Sequence, residues 1–192
     1  MTAEPVADTL VSHAGPWTEQ DYLALPESRS RIELLDGVLL VSPAPATTHQ
    51  RIARRVSFML EAAAPAGLEV LEAINVRVGN GRIFIPDIVV LREAGLEKTT
   101  CEAADALVVV EVASPSRPGI DRIVKPAVYA NAGIPYYLLV EPGGGNSSAT
   151  AFALTPAGVY AEAARSDAHG VLHLRQPFPV SIDLADAQRP RA

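Results

Sequence analysis

The stretch that decides the fold is Pro86-Asp87-Ile88-Val89-Val90-Leu91, followed by Ala106-Leu107-Val108-Val109-Val110-Glu111-Val112-Ala113-Ser114 and then Asp121-Arg122-Ile123-Val124-Lys125. Each of the two apolar runs carries one carboxylate. Side chains alternate between the faces of a strand, so Val108, Val110 and Val112 point one way and Leu107, Val109, Glu111 and Ala113 the other. Both sets are apolar apart from Glu111, as expected of a central strand covered on both sides. Asp87 shares a face with Val89 and Leu91 and opens its strand, whereas Glu111 lies near the end of the next. If the two strands are antiparallel neighbours, the carboxylates meet at one end of the sheet and residues 92–105 close the other. A buried carboxylate is costly unless it is paired or bound to a cation. Two of them with a lysine close behind read as a metal-dependent site.

Working outward, Ser114-Pro-Ser-Arg-Pro-Gly119 is a loop by its Pro and Gly content. Asp121 suits a helix start, and Pro126 is tolerable only in a first turn. Ile120, Val124, Ala127 or Val128, and Ala132 repeat at helical spacing and should face the sheet. Lys125 and Tyr129 stand one turn apart on an adjacent flank, which lets Lys125 lean over the carboxylate end. Tyr136–Glu141 is a further buried strand, and the helix before it makes this strand a parallel neighbour of the Glu111 strand.

Upstream, Thr18-Glu-Gln-Asp21 resembles a capped helix start, ended by Pro26. Arg31–Leu35 and Val38–Val41 flank Asp36-Gly37, a strong hairpin signal, and Glu33 sits on the first of these strands. Thr47 or Thr48 can cap a helix whose buried stripe is Ile52, Val56, Met59 or Leu60, and Ala63. His49 lies in its first turn, where free amides can favour a phosphate. Leu68–Glu72 and Asn75–Val78 read as short strands, and Gly79-Asn80-Gly81 turns the chain into a strand over Ile83–Leu91. Downstream, Ala151–Leu154, Val159–Ala163 and Val171–Leu174 read as a closing meander. The expected organisation is a loose leader over residues 1–15, one domain over 16–185 and a tail over 186–192.

At 192 residues and 48% hydrophobic content, the chain suits one globular domain with a sizeable core. Its one cysteine, Cys101, rules out an internal disulfide and fits a reducing cytosol. No signal peptide is expected from Met-Thr-Ala-Glu-Pro, and no apolar run approaches the length of a membrane span. The net charge of −6 runs against tight binding of duplex DNA, which favours basic patches. A local patch is still open to the chain: Arg51, Arg54 and Arg55 share one predicted helix, either as a substrate-binding cluster or as a solvated face. Repeats, zinc-type Cys/His spacing and phosphate-loop glycines are missing from the sequence.

The ordered series of motifs resembles the PD-(D/E)XK nuclease superfamily and, more narrowly, the Uma family of restriction-endonuclease-like proteins. The resemblance is carried by Glu33-Leu-Leu-Asp-Gly37, Ser42-Pro43 with His49-Gln50, Pro86-Asp87, Glu111-Val-Ala-Ser-Pro-Ser116, Asp121-x-x-x-Lys125-x-x-x-Tyr129, and Gly133-Ile-Pro135 with Val140-Glu-Pro142. It spans roughly residues 17–184. One position departs from the superfamily: the lysine that follows the glutamate by two residues is here Ala113, and the resemblance implies that Lys125 on the next helix replaces it.

The resemblance implies an α/β (α+β) domain with a restriction-endonuclease-like mixed sheet flanked by helices, plus additional antiparallel strands. It further implies hydrolysis of DNA phosphodiester bonds with Mg²⁺, or Mn²⁺, as cofactor. Asp87, Glu111 and the Val112 carbonyl would be the metal ligands, since hard cations prefer oxygen. Lys125 would position water and balance charge, Glu33 would complete the acidic cluster, and His49 and Arg51 would contact substrate. Cutting both strands would suit a homodimer with two-fold symmetry. The competing expectation is a catalytically silent nuclease fold serving as a binding or assembly module. An acid/base pair for a glycoside is a poorer third, because one tryptophan offers little of a sugar platform.

Overall fold

A computed structural model of the chain describes residues 9–10, 12–28, 30–95, 97–114, 119–143 and 146–189. Most of the Ser114–Gly119 loop, the first part of the leader and the end of the tail therefore lie outside the described residues.

The elements follow in chain order. Helix α1 (Glu19–Leu23) leads to strands β1 (Arg31–Leu35) and β2 (Val38–Ser42), then the long helix α2 (Thr47–Ala63). Strands β3 (Glu69–Glu72), β4 (Asn75–Arg77), β5 (Arg82–Phe84), β6 (Ile88–Leu91), β7 (Thr100–Glu102) and β8 (Ala106–Val112) come next. A π-helical turn (Ile120–Val124) runs into α3 (Lys125–Asn131), then β9 (Tyr136–Glu141), β10 (Ser148–Leu154), β11 (Tyr160–Arg165), β12 (Val171–Leu174), β13 (Val180–Asp183) and α4 (Leu184–Gln188).

These strands form a six-stranded sheet in the order β11-β10-β9-β8-β6-β3, a five-stranded sheet in the order β2-β1-β5-β4-β7, and the β12-β13 pair. β6 and β8 are antiparallel, the condition under which Asp87 and Glu111 meet, and β8 and β9 are parallel as expected, joined by the helical crossover. The two faces of β8 fill separate cores. Val108, Val110 and Val112 pack with Ile52, Val56 and Leu60 of α2. Val109 and Ala113 pack with Val89, Leu91, Tyr129 and Tyr137, and with Val76 and Phe84 of the second sheet. Each such side chain fully removed from water contributes about 1.5–3 kcal/mol, which is why β8 tolerates Glu111 only where the end of the strand meets polar partners.

Several sequence expectations are met in detail. Thr18 caps α1 through a reciprocal box with Asp21. Asp36 and Gly37 form the two-residue β1–β2 turn with φ of 49° and 83°, and a Cβ at Gly37 would lie 2.8 Å from Pro16.

Others are corrected. The strand expected over Ile83–Leu91 is two strands in two sheets, because Pro86 has no amide to continue a ladder. Its break leaves Asp87 at the seam between the sheets. The cap of α2 is Ala46, without a side-chain bond, so neither Thr47 nor Thr48 serves. The expected meander is divided: β10 and β11 extend the large sheet, while β12 pairs with β13, whose buried Val180 and Ile182 carry the alternation that marks a strand. Residues 186–188, assigned by sequence to the tail, complete α4, which Asp183 caps and which buries Leu184 and Ala187. Among the described residues no helix is long and apolar enough to cross a membrane.

Candidate active site

Asp87 and Glu111 arrive on one face of the large sheet, and the strand register makes them neighbours. Ile88 pairs with Val110, so the residue before the one and the residue after the other stand opposite. The Val112 amide donates to Asp87 Oδ2 at 2.8 Å, and His49 Nε2 lies 3.1 Å from the same oxygen. Arg31 Nη1 lies 2.6 Å from Oδ1, yet this oxygen has no directed hydrogen bond among the described residues. The separation is that of an ion pair and the alignment is poor, so the contact is a charge contact above all. Burial works to raise the Asp87 pKa, but the His49 contact, the Arg31 charge and the Val112 amide together hold it down at about 2.

Glu111 is engaged through one oxygen. Lys125 Nζ donates to its Oε1 at 2.8 Å and Tyr129 Oη at 2.7 Å. Lys125 also reaches Glu33 Oε1 at 2.9 Å, an oxygen that accepts from the Ile85 amide at 2.8 Å, and stands 4.0 Å from Asp121 Oδ1. Burial pushes Glu111 up to about 8, against the pull of the Lys125 charge. Burial opposes the charge on Lys125 as well, but Glu111 and Glu33 outweigh it and hold the ammonium above its ordinary range.

The backbone that aims Lys125 is set by Pro126. In a π-turn the Asp121 carbonyl would accept from the amide five residues on, which is the proline nitrogen and carries no hydrogen. The Tyr137 hydroxyl fills the vacancy, donating to the Asp121 carbonyl at 2.6 Å. The π-turn places Asp121 and Lys125 on the side of Glu111, with the Asp121 carboxylate accepting from the Ser114 amide at 3.2 Å. Burial raises the Asp121 pKa.

Arg31, Glu33, His49, Asp87, Glu111, Asp121 and Lys125 line a cavity of about 410 Å³, whose lining also includes the apolar Pro43, Ala44, Pro45, Ile120 and Pro142. Of the site residues expected from sequence, Asp87, Glu111, Lys125, Glu33, His49 and Val112 all line it. Arg51 is not brought there. It lies two residues beyond His49, about 200° around the helix, and its Nη1 donates to the Gln188 carbonyl at 3.0 Å. Arg55 likewise pairs with Asp186, so two of the three clustered arginines tie α2 to α4.

Sequence reasoning did not single out Arg31, Asp121 or Tyr129 for this site. The signals were present as spacing. Arg31 precedes Glu33 by two residues on one strand face, and Asp121 and Tyr129 stand four residues either side of Lys125 on a helix.

The family profile described as "Putative restriction endonuclease" (Uma2) matches residues 19–187, most of the chain. The chain belongs to the Uma2 family. A crystal structure titled as a "putative nuclease belonging to DUF820 from Anabaena variabilis ATCC 29413" superposes on this Uma2 chain with a TM-score of 0.73 at 17% identity, covering 91% of this chain and 100% of that one. At that identity the likeness establishes the fold, a restriction-endonuclease-like one. No curated protein matches.

The donor set of the Uma2 chain fits a hard divalent cation. Two carboxylates face each other, and Asp87 Oδ1 is a buried oxygen without a directed hydrogen bond. Among the described residues no three His, Cys, Asp or Glu groups converge as a ready-made cage. Mg²⁺ does not require one, since it commonly uses one or two carboxylates and keeps several waters.

Proposed function

We propose that this Uma2 protein is a divalent-metal-dependent endonuclease that hydrolyses DNA phosphodiester bonds. The observation that carries this reading is the register of β6 and β8, which sets Asp87, one residue before β6, opposite Glu111, with Lys125 donating to Glu111 at 2.8 Å. Asp87, Glu111 and the Val112 carbonyl would hold Mg²⁺ or Mn²⁺. When bound, such an ion lowers the pKa of an attacking water and neutralises charge on the phosphoryl oxygens.

The protein's own groups supply the rest. Lys125 is held between Glu111 and Glu33, so its ammonium is oriented before substrate arrives and balances charge at the scissile phosphate. Tyr129 fixes the Glu111 carboxylate by its hydroxyl bond. His49, in the first turn of α2, is placed to meet a phosphate at the cavity rim and keeps Asp87 Oδ2 oriented meanwhile.

The second reading is a catalytically silent binding module. It is favoured by one specific observation: Arg31 already pairs with Asp87, which compensates the charge without a metal. Incubating the purified chain with single-stranded, linear duplex and supercoiled DNA separates the two. Cleavage that requires Mg²⁺ or Mn²⁺ and disappears in Asp87→Asn supports the nuclease. A chain inert on all three substrates with either metal leaves the silent module.

A further inference from the structure

Among the described residues, Arg31 and Lys125 bring cations to the acidic cluster, and they differ in how firmly they are held. Lys125 is 3% exposed and touches Glu111 and Glu33 within 3 Å, so it has no route out of the cluster. Arg31 is the first residue of β1, and its side chain is 23% exposed while that of Asp87 is 2% exposed. Its long stem can swing its head into water without breaking the β1 ladder. Asp87 also divides its two oxygens between different duties. Oδ2 is fastened by the Val112 amide and His49, whereas Oδ1, among the described residues, meets the Arg31 guanidinium at 2.6 Å in an alignment outside a directed hydrogen bond. A contact of charge rather than direction is one that another cation can replace.

We infer that Arg31 is a built-in counter-cation that occupies the cation position at Asp87 Oδ1 and is displaced when a divalent ion binds. This rests on the proposed metal-dependent reading and assigns Arg31 a regulatory part in it. In the metal-free protein the guanidinium compensates a carboxylate that would otherwise be buried alone. Its field includes Glu111 and Glu33 as well as Asp87, so it stands over the whole acidic seam. Metal affinity is then set by a competition: the ion must displace an arginine as well as shed water.

The test is Mn²⁺ binding by calorimetry, with metal-dependent melting as a second readout, on wild type, Arg31→Gln, Arg31→Met and Arg31→Lys. Removing the competitor in the Gln and Met variants should tighten Mn²⁺ binding about tenfold, equivalent to about 1.4 kcal/mol, while lowering the melting temperature of the metal-free protein. Arg31→Lys keeps the charge and should stay near wild type. An arginine that merely supports the site would move affinity the other way, because its loss would loosen Asp87. Wild-type or weaker Mn²⁺ affinity in whichever neutral variant folds overturns the inference and leaves the nuclease reading standing. A wild-type protein that binds no Mn²⁺ overturns both.

Discussion

Glu33 on the first strand and Lys125 at the head of the crossover helix meet at 2.9 Å, both almost wholly buried. The contact spans the two sheets, since β1 belongs to the smaller and α3 packs on the larger. Glu33 therefore does two things at once: it accepts the Ile85 amide between β5 and β6 and fixes the ammonium that Glu111 shares. The same bonds that join the sheets orient Lys125.

Lys125→Ala should consequently cost stability as well as activity. It strands Glu33 and Glu111 without their shared cation, and losing one partner of a buried ion cluster costs about 3–5 kcal/mol. Urea denaturation should report that loss, and adding Glu33→Gln should recover part of it. Cleavage should fall in the single variant while Mn²⁺ binding persists, because lysine is not a ligand. Undiminished cleavage in protein free of contaminating nuclease would remove Lys125 from the mechanism.

Asp87→Asn tests the ligand set while nearly preserving shape. Wild-type protein at a hundredfold excess of Mn²⁺ over its Kd should gain about 2.7 kcal/mol of stability by mass action. The variant should gain almost none. A metal-induced rise in Tm equal to that of wild type would place the ion elsewhere.

Tyr129→Phe removes one donor to Glu111 and nothing else of the ring packing against Phe84 and Tyr137. A hydrogen bond to a neutral group contributes about 0.5–1.5 kcal/mol net, so a loss of that size is expected in denaturant titrations below pH 8, where Glu111 keeps its proton. Turnover should also fall, since the carboxylate is then free to rotate. If stability and turnover both match wild type, the hydroxyl has no part in holding Glu111.

The two carboxylates predict opposite pH behaviour for the metal-free protein. Asp87 is depressed from 3.8 to about 2 in the fold, so its contribution is present above 3.8 and is lost as pH falls toward 2. Glu111 is raised from 4.5 to about 8, so its contribution is full below 4.5 and is lost as pH rises through 8. Metal binding must displace the Glu111 proton, and Mn²⁺ affinity should rise with pH and level off above about 8. An affinity flat between pH 6 and 9 would show either that Glu111 holds no proton to displace in that range or that it is not among the ligands.

The alternation of β8, the single carboxylate on each of two apolar runs and the Asp36-Gly37 turn are local patterns, so the central strands, the parallel crossover from β8 to β9 and the first hairpin were legible in the sequence alone. Asp87, Glu111 and Lys125 could be named for the same reason: an ionisable side chain in an apolar pattern stands out without any structure. What the tertiary structure decided is where chains distant in sequence cross. The sequence suggests one strand from Ile83 to Leu91 through Pro86, and only the fold shows that its two halves enter different sheets and leave Asp87 at their seam. Arg51 and His49 are nearly adjacent in sequence, and helix geometry sends one to α4 and the other to Asp87. Spacing sets Arg31 on the strand face of Glu33 and Tyr129 one turn from Lys125, but their partners Asp87 and Glu111 are brought to them only by packing between elements. Local periodicity is set by backbone geometry, and a charge can therefore be placed on a face from sequence. The partner that neutralises it is set by packing between elements, and that is a property of the folded chain alone.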